Sequence, residues 1–236
     1  MIRRVLLAGI VAGLIAGTVG FAIQALKVIP LIREAETFEG TAKPQSHPKG
    51  IPTGTVVLAA ASWRQPLVET GLTLAANLLT GAGFGLFLAG AITFSSRNPT
   101  LVEGLIWGFA GFTVFTLAPC QVLPPHLPGM AESDLTTRQF WWLGTAAATG
   151  AGLGLIAFTG RWPTRALGLA LLALPFLVDP LIPSGPTEGT GMGVQLPAAL
   201  VASFVAASMT ASATFWIVLG VTTSMILDRY STVEAP

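Results

Sequence analysis

The chain has 236 residues, of which 52% are hydrophobic and only 10% are charged, and its mean hydropathy is +0.72. These values are typical of an integral membrane protein and argue against a soluble domain. Twelve basic and eleven acidic residues leave a formal net charge of +1, which is too balanced for a nucleic-acid-binding surface. The single cysteine cannot form an internal disulfide and matches no zinc or redox motif.

Five apolar runs are long enough to cross a bilayer as helices, which takes about 20 residues. The first run follows a basic start that resembles a signal peptide, but it is too long for one, so we predict a retained helix. The five predicted spans are Val5–Leu26, Leu67–Phe94, Leu101–Ala118, Phe140–Thr159 and Pro197–Leu227. A shorter run, Ala166–Ile182, contains Pro175 and predicts a sixth helix.

The predicted fold is an all-α integral membrane protein of six transmembrane helices, or five if the short run does not span. We expect one transmembrane domain over residues 1–236, with an external loop at about 27–66. Six spans place both termini on one side. The segments on that side carry six basic and three acidic residues, against six basic and eight acidic residues on the other side. Two short loops on the terminal side are basic, so the positive-inside rule predicts cytoplasmic termini.

Glycines follow two patterns in the predicted helices. Gly9, Gly13 and Gly17 recur every four residues, and this spacing predicts a face on which a second helix packs closely. The segment "TGAGFGL" (80–86) recurs as "TGAGLGL" (149–155), which suggests that helices two and three are duplicated as helices four and five. Glycine-rich membrane helices also resemble one another by composition alone, and that alternative stays open.

The membrane interior is nearly free of charged residues. Its main polar groups are Asn77 in the second predicted helix and a series in the last one, Ser208, Thr210, Ser212 and Thr214. Ser208 and Ser212 lie one turn apart. Hydrogen bonds between helices are the favoured interpretation of these two serines, and ligand contact is the alternative.

The predicted outer face carries the candidate metal ligands. Glu36 and Glu39 are three residues apart, so in a helix they could share a divalent cation or form a solvated interfacial turn. The stretch "PCQVLPPHLPGMAESD" (119–134) combines a proline-stiffened backbone, an "LPGM" turn and several donor side chains. Its spacing matches no closed metal motif, and Cys120 suits a small buried apolar residue. The full candidate set is Glu36, Glu39, Glu69, His126, Glu132, Asp134 and Asp179.

Three segments resemble the CbtA family, the predicted cobalt-transporter membrane subunit. They are "QALKVIPLIREAETFE" (24–39), "LAPCQVLPPHLPGMAESDLTTRQFWWLGTAAATGAGLGLIAF" (117–158) and "FVAASMTASATFWIVLG" (204–220). The resemblance implies a multi-pass protein of a bacterial or archaeal inner membrane that serves cobalt supply for cobalamin synthesis. It also implies a small single-helix partner that bears histidines. The chain departs from the family pattern at Phe38, where a tyrosine is usual, and at His126, where an acidic residue is expected.

We therefore expect the membrane subunit of a cobalt(II) uptake transporter, with cobalt(II) as the transported ion and no tightly bound cofactor. The alternative is a substrate-capture subunit for a small organic molecule, such as a vitamin or a cobalamin precursor, with tryptophans 107, 141, 142 and 216 around its site. An enzyme is not expected, because the sequence shows no nucleophile–base pairing, metalloprotease motif or phosphate-binding loop.

Overall fold

A computed structural model describes residues 2–42, 64–95, 99–130, 134–178 and 195–233 of the chain. Every regular element in these ranges is a helix. The elements in chain order are α1 (Ile2–Ile23), a first π segment (Gln24–Val28), α2 (Ile29–Ala42), α3 (Arg64–Ser95), α4 (Leu101–Phe112), a second π segment (Thr113–Leu117), α5 (Ala118–Val122), α6 (Leu135–Phe158), α7 (Trp162–Val178) and α8 (Ala198–Val233). The predicted all-α membrane fold is confirmed.

The described helices include five that are long and apolar enough to cross a membrane, and α7 is the shorter apolar helix. Its 17 residues rise about 25 Å at 1.5 Å per residue, somewhat less than a bilayer core of about 30 Å. Large apolar side chains such as Leu79, Phe87 and Phe109 point outward from the bundle, as expected where lipid replaces water around a helical protein.

Helices α1 and α8 run antiparallel. The Arg4 guanidinium donates a hydrogen bond to the Leu227 carbonyl, and Gly20 faces Phe215. The beginning of α1 and the end of α8 therefore share one end of the bundle, called the terminal end below. An antiparallel first and last helix agrees with the even number of crossings in the predicted six-helix topology, in which α7 is the sixth helix.

The opposite end of the bundle is called the loop end, because the loop after α5 lies there. The Met130 amide donates to the Leu127 carbonyl at 3.3 Å, and Gly129 has a φ of 83°. Pro128 precedes this glycine, so the segment forms the type II turn that the "LPGM" sequence predicts. Leu127 is buried with Ala35 and Leu200, which fixes the loop against α2 and α8.

The first helix extends beyond the predicted boundary at Leu26. It continues through the first π segment to Ala42, so the beginning of the predicted external loop at 27–66 is helical. The extension is stabilised by apolar side chains, since Leu31, Ile32 and Phe38 pack against the cluster around Leu127. Residues 43–63 lie outside the described ranges.

Glycines hold α1 against α3. A Cβ atom on Gly9 would lie 2.7 Å from the Leu86 Cα, and one on Gly17 would lie 2.6 Å from the Asn77 carbonyl oxygen. Gly13 and Gly81 meet in the middle, backbone against backbone. The predicted close-packing face of the first helix is confirmed.

A second glycine seam joins α4 to α8, and the sequence reasoning missed it. A Cβ on Gly104 would lie 2.7 Å from the Gly220 carbonyl oxygen, and one on Gly108 would lie 2.5 Å from that of Trp216. The spacing of four between Gly104 and Gly108 is the signal that could have revealed this seam.

The two copies of the repeated glycine segment pack differently. In α3, Gly81 and Gly85 face α1, and Gly83 has nothing within 4 Å. In α6, the counterpart of Gly83 is Gly152, which packs against Gly168 of α7. The described contacts thus give no packing support for a duplicated hairpin, and the duplication stays a hypothesis from the sequence.

Candidate functional site

Two adjoining chambers, both partly open to the surroundings, lie between the helices of the bundle. The inner chamber has a volume of about 300 Å³, and the outer chamber has a volume of about 610 Å³. Phe115, Thr116, Trp142 and Ser208 line both of them, so the chambers share a boundary. Both π segments border the inner chamber, through Gln24, Val28, Phe115 and Thr116. Single π turns within α-helices are often found at functional sites.

Polar side chains from four parts of the chain converge on the inner chamber. They are Gln24, Asn77, Thr80, Thr116, Ser208 and Ser212. Each carries an uncharged amide or hydroxyl group, and no ionisable side chain is among the described residues that line this chamber. The chamber is therefore a neutral polar site within a hydrophobic bundle.

An amide pair crosses from α3 to the first π segment. The Asn77 Nδ2 group donates one hydrogen bond to Gln24 Oε1 at 3.0 Å and another to the Thr73 carbonyl at 2.9 Å. The glycine seam on α1 lets α3 approach closely enough for this pair to form, because Gly17 packs directly on the Asn77 backbone. Asn77, which the sequence marked as an interior polar group, thus forms a hydrogen bond between two helices.

A hydroxyl pair joins the second π segment to α8. Thr116 Oγ1 and Ser212 Oγ lie 2.7 Å apart. Ser208 lies one turn before Ser212 and faces both chambers. Thr210 and Thr214 instead donate to carbonyls within α8, at Ala206 and Thr210. The interhelical interpretation is thus confirmed for Ser212, whereas the two threonines bond to their own helix.

An aromatic wall closes the inner chamber toward the terminal end. It consists of Phe84, Phe115, Phe215 and Trp216. The centroid of the Phe84 ring lies 4.9 Å from that of Phe115 and 4.8 Å from that of Trp216. The rings of Phe115 and Trp216 stack with an interplanar angle of 6°. Beyond this wall lies a buried apolar cluster of small and branched residues, including Ala12, Leu88 and Leu219.

The outer chamber lies next to the proline-containing loop within residues 119–134. Pro124 and Pro125 of that loop line it, together with Cys120 at the end of the third span. Arg138 and Gln139 from the beginning of α6 line the same chamber. The proline framework of residues 119–134 thus shapes a cavity entrance at the loop end.

The candidate metal ligands are spread over the loop end rather than gathered. Glu36 on α2 and Glu69 on α3 are exposed, and His126 is half-buried in the loop. The Asp134 carboxylate accepts a hydrogen bond from the Thr137 amide at 3.0 Å and caps the N-terminus of α6. Glu132, Asp179 and the Glu39 side chain lie outside what the structure describes. Within the described ranges, no three His, Cys, Asp or Glu residues form a group that could hold a metal.

Sequence reasoning found half of the polar lining. Asn77, Ser208 and Ser212 were recognised as interior polar groups, whereas Gln24, Thr80 and Thr116 were missed. Gln24 lies two residues before the predicted end of the first helix, and Thr116 lies between the apolar residues Phe115 and Leu117. A single polar residue within an apolar run was the available signal, but it does not show which way the side chain points.

Fold and cavity together define a multi-pass α-helical membrane protein with a polar chamber inside its bundle. The chain matches the family model described as "Probable cobalt transporter subunit (CbtA)" over residues 2–228. It belongs to this family, so the resemblance found in the sequence is confirmed over nearly the whole chain. Comparisons with curated proteins and with solved structures gave no match. As a transporter subunit, the protein acts in a membrane and together with partners.

Proposed function

We propose that this chain is the membrane subunit through which cobalt(II) enters the cell to supply cobalamin synthesis. The observation that supports this proposal is the pair of adjoining chambers that leads from the loop end to the aromatic wall inside the bundle. In this proposal the membrane is the inner membrane of a bacterial or archaeal cell, and the terminal end lies in the cytoplasm, as the basic short loops predict under the positive-inside rule. The chambers then face outward, the orientation that uptake requires.

The acidic residues of the loop end serve to collect the cation in this proposal. Glu36, Glu69 and Asp134 lie at that end and are exposed, and Glu39, Glu132 and Asp179 are predicted on the same side. Carboxylates around an entrance raise the local concentration of cations and speed their arrival. His126 adds an imidazole nitrogen, which cobalt(II) accepts as a ligand.

A small single-helix subunit bearing histidines is proposed as the partner. The inner chamber has no imidazole or carboxylate among its described lining residues, so stronger ligands have to come from elsewhere if the ion is to be held directly. A partner helix at the bundle surface would supply them. No tightly bound cofactor and no catalytic step are part of this function.

Capture of a small organic molecule is the second candidate. One observation favours it: the outer chamber is lined mainly by apolar side chains and by the ring of Trp142, as small-molecule sites often are. A vitamin or a cobalamin precursor would then be the ligand.

Radioactive cobalt uptake in a transporter-deficient cell tests the proposal. Cells that express the chain with its partner should accumulate the ion. The Glu36→Gln, Glu39→Gln double variant should raise the cobalt concentration for half-maximal uptake about threefold, because the local cation concentration falls. The matched control is Asp228→Asn, which removes an acidic side chain from the terminal end and should leave uptake unchanged. Absence of cobalt uptake, together with uptake of a labelled cobalamin precursor, would replace the first candidate with the second.

A further inference from the structure

The inner chamber combines three properties that do not fit a site for a bare metal ion. Its described lining has no charge, it lies between apolar helices, and it is wide and partly open. Removing a divalent cation from water is very unfavourable unless charged ligands replace the lost waters. Neutral hydroxyl and amide groups scattered around a wide chamber cannot do so.

From these properties we propose that the inner chamber binds the divalent cation with its first shell of water intact. This inference rests on the proposed cation transport and names the form in which the ion is recognised. The lining groups contact the metal-bound waters and not the metal itself. The site is then selective for the size and hydrogen-bonding pattern of a hydrated ion.

The size of the chamber fits this cargo. Six waters at their liquid volume of roughly 30 Å³ each occupy about 180 Å³. The inner chamber offers about 300 Å³, enough for such a shell with some space left over. A bare ion would fill a small fraction of this space and would touch only one side of it.

Hydrogen-bond acceptors are available in the chamber. The Thr73 carbonyl can only accept a hydrogen bond, so the Asn77 amide must turn its Nδ2 group toward it. Asn77 Oδ1 consequently faces Gly20, another lining residue, and accepts no hydrogen bond from the described part of the chain. Ser208 likewise takes part in no hydrogen bond among the described residues and faces both chambers. Metal-bound waters are strong donors, and these oxygens can receive them.

The aromatic wall supplies favourable electrostatics without a carboxylate. Phe84, Phe115 and Trp216 line the chamber, and aromatic rings attract cations that lie over a ring face within about 6 Å of the centroid. This attraction is weaker than an ion pair. Weak binding suits a site from which the ion must leave again.

Cobalt(III) hexaammine is the probe for this proposal. It has six firmly held ammonia ligands that donate hydrogen bonds much as coordinated waters do, and it cannot exchange them for protein ligands. Its equilibrium binding would be measured on the purified chain in nanodiscs of uncharged lipid, and its inhibition of cobalt(II) uptake would be measured in cells. We expect saturable binding and competitive inhibition with the wild-type protein.

Two variants locate the binding. Asn77→Leu removes an acceptor, and Ser208→Ala removes a hydroxyl that holds no helix in place. Each should weaken hexaammine binding about tenfold to a hundredfold, the effect of one lost hydrogen bond to a charged group. Thr210→Val is the matched control, because the Thr210 hydroxyl bonds within α8 and does not line either chamber. It should leave binding unchanged.

The outcomes separate this inference from the proposed function. Cobalt uptake that proceeds without inhibition by a hundredfold excess of hexaammine would overturn the hydrated-ion site and leave the transport function intact. Equal binding by the wild type and both variants would overturn it too. Chamber-dependent hexaammine binding by a protein that accumulates no cobalt would instead uphold the site and overturn the function.

Discussion

The two ends of the bundle are packed in opposite ways. At the terminal end, glycines and alanines bring α1 against α3 and α4 against α8, and large apolar side chains fill the rest. Toward the loop end, two π segments interrupt the helices, and polar side chains surround a chamber. The comparison shows how one apolar chain can form both a closely packed end and a polar chamber.

The π segments account for much of the difference. One extra residue in a turn rotates the following side chains by about 100° around the helix axis. Gln24 and Thr116 both lie in such segments, and both reach the inner chamber. Glycine seams at the terminal end need no rotation of this kind, because regular spacing of four already places the small residues on one face.

A leucine in the glycine seam should disrupt the packing of α1 against α3, and this is the largest effect we expect. In Gly81→Leu the new side chain would collide with the backbone of Gly13, where no side chain can move aside. We expect loss of the folded, monodisperse protein in detergent, measured by size-exclusion chromatography and thermal unfolding.

The control for this change lies two residues away. Gly83 is in the same helix and has nothing within 4 Å of its Cβ position, so Gly83→Leu should fold normally and place its side chain in lipid. Equal loss of folded protein in both variants would show that helix propensity, and not the seam, determines the result.

Removal of Trp216 should have the next largest effect, because this residue packs in the apolar cluster of the terminal end and also lines the inner chamber. Only 2% of its surface is exposed, and it covers Gly111 while it forms part of the aromatic wall. Trp216→Ala should lower the free energy of unfolding by about 3–5 kcal/mol, the usual effect of deleting a large buried aromatic side chain. Phe109→Ala deletes a ring that is 60% exposed to the surroundings, and it should change stability far less.

The sequence predicted the rigid end better than the polar end. Helix number and type follow from apolar run length, and the α1–α3 seam follows from the spacing of Gly9, Gly13 and Gly17. Each of these two predictions needs only the pattern within a single segment of the sequence. The α4–α8 seam was also readable at Gly104 and Gly108, but its spacing was overlooked.

The polar chamber was harder to predict because it depends on four segments at once. No local pattern shows that Gln24 meets Asn77, since the pair is 53 residues apart and a π segment sets the direction of the glutamine. The sequence instead predicted candidate metal ligands among the carboxylates of the outer face. The spread of Glu36, Glu69 and Asp134 over separate elements could be seen only in the structure.

A carboxylate placed in the chamber would sharpen the contrast between the two ends. Asn77→Asp adds a negative charge where the described lining is neutral. Cobalt(II) should bind about tenfold more tightly, because the ion can exchange a water for the new ligand. Uptake should become slower at saturating cobalt, since release then limits transport. Binding and uptake measured on the same variant would test both parts, and tighter binding with faster uptake would contradict the reasoning.

The smallest expected effect concerns Asp134, whose carboxylate caps α6 at the chamber entrance. Asp134→Ala should lower the free energy of unfolding by about 1 kcal/mol, as the loss of an N-cap usually does. Asp134→Ser keeps a capping oxygen without the charge, so its stability should stay close to that of the wild type. The serine variant also separates capping from metal binding. If Asp134 acts only as a cap, cobalt uptake at saturating concentration is unchanged in Asp134→Ser, whereas a large loss in this stable variant would make its carboxylate a direct ligand of the ion.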